Sequence, residues 1–434
     1  MGSQVQARIK GIRSNLGVSW RRTFRSIILV FFGVSIALFT NLPLFSLLGS
    51  DNFLAAQPLP AIPIAPILPT VVSTSELRGV WMTNIDSDVL FSRDNLDRAT
   101  QRLKRLNFNT IYPTVWNGGY TLYPSAVAEK TYGKAVDPEP RLQNRDMLAE
   151  AIDLGHQQGL AVIPWFEFGL MSEERAELTR QHPDWLTSRK DGSTVTVQGD
   201  RGQHRFVWLN PARPEVQTFL SDMIAEVVSK YKVDGIQLDD HFGIPVDFGY
   251  DDFTVALYQK DHNGKRPPDN QKDPEWIAWR ARLVTDLMVK IFANVKTTKP
   301  NCIISLSPNP KDFSYANYSQ DWYRWVQLGF VNELIVQVYR SQLDDFKREL
   351  ERPEMLELRR KIPVGIGILT GLRVLNVDMK QIETQVKATR DRSFHGFSFF
   401  FYETLGDRDI AFQSLLANPA NRPDKQSIAA ISKR

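Results

Sequence analysis

Cysteine is almost absent from this chain. Cys302 is the only one in 434 residues, so no intrachain disulfide can form. An exported domain of this kind must hold together through a large apolar core, which a chain of this length can supply. An excess of one charge is missing too. The sequence has 53 basic and 49 acidic residues, and six of the basic ones lie within residues 1–25, which hold no acid. The remainder is close to neutral, so the whole chain's pI of about 8.9 gives no electrostatic case for nucleic-acid binding. The six histidines show no HExxH spacing. No GxSxG elbow marks a serine hydrolase, and no glycine-rich phosphate loop follows the first strand. No cofactor and no metal are expected.

What is present begins with a basic N-terminus (Arg8, Lys10, Arg13, Arg21, Arg22, Arg25) followed by an apolar run from Ile27 to Leu48. That order is an export signal or a membrane anchor. The run is long enough to span a bilayer, and the arginines before it keep the N-terminus cytoplasmic. The body of the protein is therefore expected outside the cytoplasm, in the periplasm or cell envelope. The membrane is a partner if residues 27–48 stay uncleaved. Residues 1–56 form this signal or anchor, and residues 57–75 are a Pro-rich, semi-rigid spacer (Pro58, Pro60, Pro63, Pro66, Pro69). Residues 76–417 form the folded domain, and residues 418–434 a polar tail.

Within that domain, strand-like and helix-like runs alternate. Strands are expected at 77–83, 110–116, 160–167, 233–239, 302–307, 333–339, 363–369 and 396–402. Between them, apolar residues recur at helical spacing in 93–106, 147–158, 214–230, 276–298, 321–328, 343–360 (interrupted at Pro353) and 379–390. Eight such units predict a (β/α)8 TIM barrel, with a doubly wound open sheet as the competing arrangement. The long polar stretch from Asp191 to Arg205 is expected to form a lid or a small hairpin over one end.

A TIM barrel carries its active site at the C-terminal ends of its strands. In this chain those ends are polar and aromatic: Thr83 and Asn84; Trp116 and Asn117; Trp165 and Glu167; Asp239, Asp240 and His241; Ser307 and Asn309; Gln337, Tyr339 and Arg340; Tyr402 and Glu403. Side chains alternate along a strand, so Gln237 and Asp239 share a face. Carboxylates and tryptophans together suit a sugar site. Glycoside cleavage needs one protonated carboxyl and one carboxylate that attacks or activates water, and aromatic faces stack on sugar rings. Trp81, Trp116, Trp165 and Trp208 are candidates for stacking. The catalytic candidates are Asp239, Glu167, Asp240 and Glu403, with Asp239 the key carboxylate and Glu167 its partner. Which is the acid, and whether the reaction retains or inverts, stays open. His241 is read as a hydrogen-bonding group rather than a metal ligand. A carbohydrate-binding protein without turnover, or a metal-dependent hydrolase on the same barrel, are the alternative functions.

Four ordered motifs, Leu77-Arg-Gly-Val-Trp81, Trp208-Leu-Asn-Pro-Ala-Arg-Pro-Glu-Val216, Val233-Asp-Gly-Ile-Gln-Leu-Asp-Asp-His-Phe242 and Gln337-Val-Tyr339, together resemble the glycosyl-hydrolase-like 10 family of bacterial envelope proteins. The resemblance covers roughly Glu76 to Asp409. It implies a TIM barrel and a glycosidase acting on envelope glycan, since some members cleave peptidoglycan strands. It adds Arg78 and Asn210, from the matched motifs, to the binding candidates. The chain departs from the family's usual residues at His241 (commonly Tyr), Asn332 (Asp), Val336 (Pro) and Arg340 (Trp). The DGIQLD segment also resembles the strand-four motif of the alpha-amylase group, whose last aspartate is the nucleophile; that points to Asp239.

Overall fold

The computed structural model describes residues 74–198 and 204–423. The expected signal or anchor at 1–56 and the spacer up to residue 73 lie outside the described residues, as does the tail beyond 423. Eight parallel strands form the centre: β1 (Leu77–Met82), β2 (Thr110–Pro113), β3, β4 (Gly235–Asp239), β5 (Ile303–Ser307), β6 (Glu333–Gln337), β7 (Val364–Leu369) and β8 (Gly396–Phe400). The helices after them are α1 (Arg93–Arg105), α2 (Met147–Gln157), α3 (Pro214–Lys230), α4 (Pro274–Thr298), α5 (Trp322–Gln327), α6 (Leu343–Leu350), α7 (Pro353–Leu358), α8 (Met379–Asp391) and α9 (Asp409–Leu415). This is the expected (β/α)8 barrel.

The ring closes at β3, which differs from the single run expected over 160–167. It is two short pieces, Ala161–Val162 and Trp165–Phe166. The first pairs with β2 and the second with β4. Pro164 has no N–H, so the ladder must break there. Its carbonyl still accepts from Gln237 N at 2.8 Å, while Ile163 N donates back to Ile111 O at 3.0 Å. Val162 O still accepts from Asp234 N at 3.1 Å and Trp165 O from Val115 N at 2.9 Å, so β3 stays between β2 and β4 on both sides of the proline. Strand β2 also ends sooner than expected, at Pro113. Trp116–Asn117 instead pairs with Tyr120–Thr121 in a hairpin whose turn, Gly118 (φ 64) and Gly119 (φ 90), needs positive φ at both positions. After β8 the chain enters a 3-10 turn, Tyr402–Leu405. The long polar stretch is indeed hairpin-like: Thr196–Gln198 pairs antiparallel with His204–Trp208, which also pairs with Met171–Glu173.

Helix ends follow local chemistry. Ser92 caps α1 through Asn95 N, Asp146 caps α2 through Ala149 N, and Pro214 and Pro274 occupy first turns. Asn107, with φ 61, ends the α1 unit in the left-handed region. The outward faces of the strands and the inward faces of the helices make one large apolar core. A second cluster fills the barrel lumen: Leu77, Trp81, Tyr112, Ile163, Trp165, Ile335, Phe400 and Phe401.

Below the Trp81 layer the lumen carries a connected run of polar side chains. Trp81 Nε1 donates to Gln237 Oε1 (2.7 Å), and Gln237 Nε2 donates to Ser305 Oγ (2.9 Å). Ser305 Oγ and Tyr112 OH both donate to Glu333 Oε1, at 2.9 and 3.0 Å. Arg422 pairs with Glu333 Oε2 and donates to Thr110 Oγ1 at 2.8 Å. Arg422 comes from the stretch expected to be a polar tail. Residues 418–423 instead belong to the barrel floor, where Ala420–Asn421 pairs in parallel with Thr74–Ser75. Arg78 serves the same floor. It starts β1, pairs with Glu76 at 2.7 Å and donates to Asn418 O at 2.6 Å.

Breaking a buried ion pair from one side leaves the other charge stranded. Replacing Arg422 by Ala is expected to cost about 3–5 kcal/mol of stability, read from urea unfolding of the full chain. The double change Arg422→Met with Glu333→Gln should recover most of that loss. Equal destabilisation by both would show that the floor depends on the shape of Arg422, not its charge.

Candidate active site

At the opposite end of the barrel, β3 and β4 each deliver an acid to the same mouth. Glu167 follows the second half of β3, and Asp239 ends β4. Both are almost fully buried, at 4% and 2% exposure, and Asp240 and His241 beside them at 4% and 6%. Buried carboxylates require hydrogen-bond donors, and the adjacent strands supply them.

Glu167 receives three donors on one oxygen. Asn117 Nδ2 (2.7 Å), Thr114 Oγ1 (3.1 Å) and Thr83 Oγ1 (3.4 Å) all reach Oε2. Burial raises its pKa to about 7, against the lowering effect of Asn117, His241 and the two threonines. The donors lock Oε2 as an acceptor, so a proton held near neutral pH resides on Oε1.

Asp239 is held differently. Its Oδ1 accepts from Ser307 Oγ (2.6 Å) and Gln337 Nε2 (2.9 Å), and its Oδ2 lies 3.2 Å from His241 Nδ1. Asp240 accepts from Asn309 Nδ2 at 2.5 Å and lies 3.2 Å from the same imidazole nitrogen. Burial, and then the charge of Asp240, push the Asp239 carboxyl well above the usual range. Burial alone would lower the pKa of His241. Asp240, Asp239 and Glu167 outweigh it and raise that pKa to about 9. The imidazole is therefore a cation at neutral pH, set against the aspartate pair. Tyr339, half-buried and resting on Phe400 at 5.7 Å, completes this wall. Burial and the charges of Asp239, Asp240 and Glu167 all hold its hydroxyl protonated, so it sits in the field of the three acids.

The structure thus gathers Glu167, Asp239, Asp240, His241, Asn117, Asn309, Gln337 and Tyr339 at one mouth. Trp165, Trp81 and Phe400 pack against one another in the lumen, with ring centroids 6.0–6.3 Å apart. Asn84 lies just past β1, half-buried, its Oδ1 without a partner. Arg340 turns to Glu349, at 3.1 Å.

Other candidates belong elsewhere. Arg78 is on the barrel floor. Gln237 is committed to Trp81 and Ser305 inside the lumen. Trp116 donates to Gly169 O (3.0 Å) and packs edge-on against Phe219 of α3. Trp208 packs on Phe248 in the apolar core. Asn210 is a loop hub, bonded to Asp251 (3.0 Å) and Thr254 (2.8 Å). Glu403 binds Ser87 Oγ at 2.5 Å and the backbone N–H groups of Asp88 and Val89, tying the end of β8 to the loop after β1. Burial raises its pKa to about 7 as well, but it bonds to none of the other acids.

Two contributors had little or no local signal. Thr114 shares a strand face with Thr110 and Tyr112, so alternation could have found it. Gln320, whose Nε2 donates to Asp239 O (2.9 Å) and Phe242 O (3.1 Å), is some 80 residues away in sequence. Asp239, Asp240 and His241 also have the spacing for a cation, with one donor atom of each within 4.8 Å of the others. They are the single such group among the described residues.

Comparison with known proteins bears on the family and the fold. The family model for glycosyl hydrolase-like 10 proteins matches residues 76–388. The glycosyl hydrolase DigH of Escherichia coli K12 is 26% identical over 331 residues, covering 62% of this chain and 67% of its own length. Among solved structures, the glycoside hydrolase domain of PgaB (BpsB) from Bordetella bronchiseptica superposes with a TM-score of 0.59 at 14% identity, over 79% of this chain and 99% of that domain. The catalytic domain of a Paenibacillus polymyxa beta-amylase does so at 0.54 and 10%, over 78% and 95%. At such identities the structural likeness shows the fold.

The raised pKa of Glu167 is also a statement about stability. Its folded value, about 7, lies above the ordinary value of 4.5. Its contribution is therefore intact below pH 4.5 and lost as pH rises to about 7. Glu167→Gln keeps an oxygen for the three donors and removes the titration. The variant should match the wild type in stability at pH 4 and exceed it by up to about 3 kcal/mol above pH 7, measured by denaturant unfolding across pH. A constant difference at all pH values would mean that Glu167 titrates normally.

Proposed function

The chain belongs to the glycosyl hydrolase-like 10 family, and from that premise we propose that it hydrolyses the glycan strands of bacterial peptidoglycan outside the cytoplasm. The observation that carries the mechanism is the contrast between Glu167 and Asp239. They are two buried acids on neighbouring strands, one with a single oxygen saturated by neutral donors, the other braced by Ser307 and Gln337 beside a cationic imidazole.

Glu167, protonated on Oε1 near neutral pH, is the proton donor to the leaving glycosidic oxygen. Asp239 faces the sugar carbon, as nucleophile or as the base that activates water. Positive charge develops on the sugar as the bond breaks, and that charge favours ionised Asp239. Burial and the charge of Asp240 raise the Asp239 pKa even with His241 lowering it, so Asp239 passes its proton to solvent before it attacks or acts as base. Asn309 holds Asp240 aside, and Tyr339 over Phe400 offers an aromatic face with a polar edge to the ring. The basic, then apolar, start of the sequence supports export. Among the described residues no helix is long and apolar enough to cross a membrane, and residues 27–48 lie outside them.

Purified peptidoglycan, intact and amidase-stripped of its peptides, tests the reading, with products followed by mass spectrometry. The full chain should release short glycans, and Asp239→Asn and Glu167→Gln should each slow release by about 10²–10⁴-fold. The rate should fall about tenfold per pH unit above pH 7, as Glu167 loses its proton, and chelator should leave it unchanged. Undiminished release by both variants would remove the acid pair from the chemistry. Binding without release by the wild type would make the protein a glycan-binding barrel.

A further inference from the structure

His241 stands where β3 and β4 meet at the mouth. Its Nδ1 lies 3.0 Å from the backbone oxygen of Glu167, 3.2 Å from Asp239 Oδ2 and 3.2 Å from Asp240 Oδ1. Three oxygens converge on one ring nitrogen, so that nitrogen must carry hydrogen in either charge state; a lone pair there would face only acceptors. The contact to Glu167 is to its main chain. One N–H therefore ties the backbone that carries one acid to the carboxylate that is the other.

The surroundings keep this tie in register. Phe168 packs against the imidazole, with centroids 5.8 Å apart and rings 30° from parallel. Leu170 N donates to His241 O at 3.1 Å, a second link between the same two loops. Gly169, with φ +50, brings the β3 loop so close that an added Cβ would lie 2.7 Å from Phe242 N. The two loops thus meet backbone to backbone, and His241 supplies the side chain that spans them.

We propose that His241 is a positioning residue, whose Nδ1–H sets the placement of Asp239 relative to Glu167, and not a substrate contact. This rests on the reading of Glu167 and Asp239 as the reacting pair. Misplacing a catalytic group by about 1 Å can cost about 10²-fold in rate, so the effect belongs in kcat.

Three variants of the full chain separate position from charge. His241→Asn places an amide N–H near where Nδ1 stands but carries no charge. His241→Gln carries its amide farther out, near Nε2, and His241→Leu has no donor. With peptide-stripped glycan strands as substrate, Asn should keep kcat within about tenfold of the wild type. Gln and Leu should lose about 10²-fold, with KM within a few-fold in all three. Thermal unfolding of each variant shows whether it is folded, and the Asn variant alone still decides the matter if Leu does not fold. A folded Asn variant as slow as Gln would overturn the proposal in favour of the imidazolium charge. A rise in KM at unchanged kcat would overturn it in favour of substrate contact. Full activity in Asp239→Asn and Glu167→Gln would instead remove the acid pair on which it rests.

Discussion

Three carboxyl groups and an imidazole are buried together at the end of β3 and β4, the imidazole reaching both aspartates and the main chain of Glu167, and the upper half of the barrel is arranged around that cost. An isolated buried carboxylate is strongly disfavoured. Every neighbouring strand therefore contributes a donor: Thr83 after β1, Thr114 and Asn117 after β2, Ser307 and Asn309 from β5, Gln337 from β6. The donors are distributed unequally. Glu167 receives neutral ones on one oxygen only, and Asp239 shares a cation with Asp240. The two roles proposed for these chemically similar acids rest on that inequality.

The lower half answers a different constraint. The lumen must be filled, and its contents must satisfy one another. Trp81 and Trp165 take the volume. Gln237, Ser305, Glu333 and Arg422 then pass hydrogen bonds from the tryptophan layer to the floor. This chain of contacts makes the C-terminal stretch up to residue 423 part of the barrel. It also keeps the base of β4, whose tip carries Asp239, attached to three other strands. From the side, β3 lies between β2 and β4, and its pairing with β4 sets Glu167 next to the acids of that strand.

Much of this was legible in the sequence because period and parity are local. The alternation of strand and helix located all eight barrel strands, and parity at the end of β4 singled out Asp239 over Asp240. The places where the reading differed have physical causes. Arg78 belongs to a motif that carries a family resemblance, yet a residue at the start of a strand emerges at the floor, away from the mouth. Trp116 and Asn210 sit near the right end, but which way a side chain points after a hairpin or a loop depends on tertiary partners such as Phe219 and Asp251. Gln237 has the parity of Asp239 and lies one layer deeper, where alternation alone does not distinguish lumen from mouth. Gln320 reaches the backbone of Asp239 from a distant loop, a contact that no pattern within one segment announces.

Glu403 shows why a perturbed acid is not yet a catalytic one. Its pKa is raised to about 7, the same value as that of Glu167, and burial is the leading cause in both. Titration alone would rank them equally. Their partners do not. Glu403 accepts on Oε1 from Ser87, a tie between the ends of β8 and β1, and its Oε2 is buried without a hydrogen-bond partner. Glu167 accepts from three side chains on two strand ends, shares His241 with the aspartates through its own carbonyl, and acts on Tyr339 together with them. A glycosidase needs two acids that address the same bond from different protonation states. Glu167 stands beside the Asp239 cluster because β3 pairs with β4, and the proposed partnership rests on that adjacency, which the pKa values, raised in both acids, leave undecided.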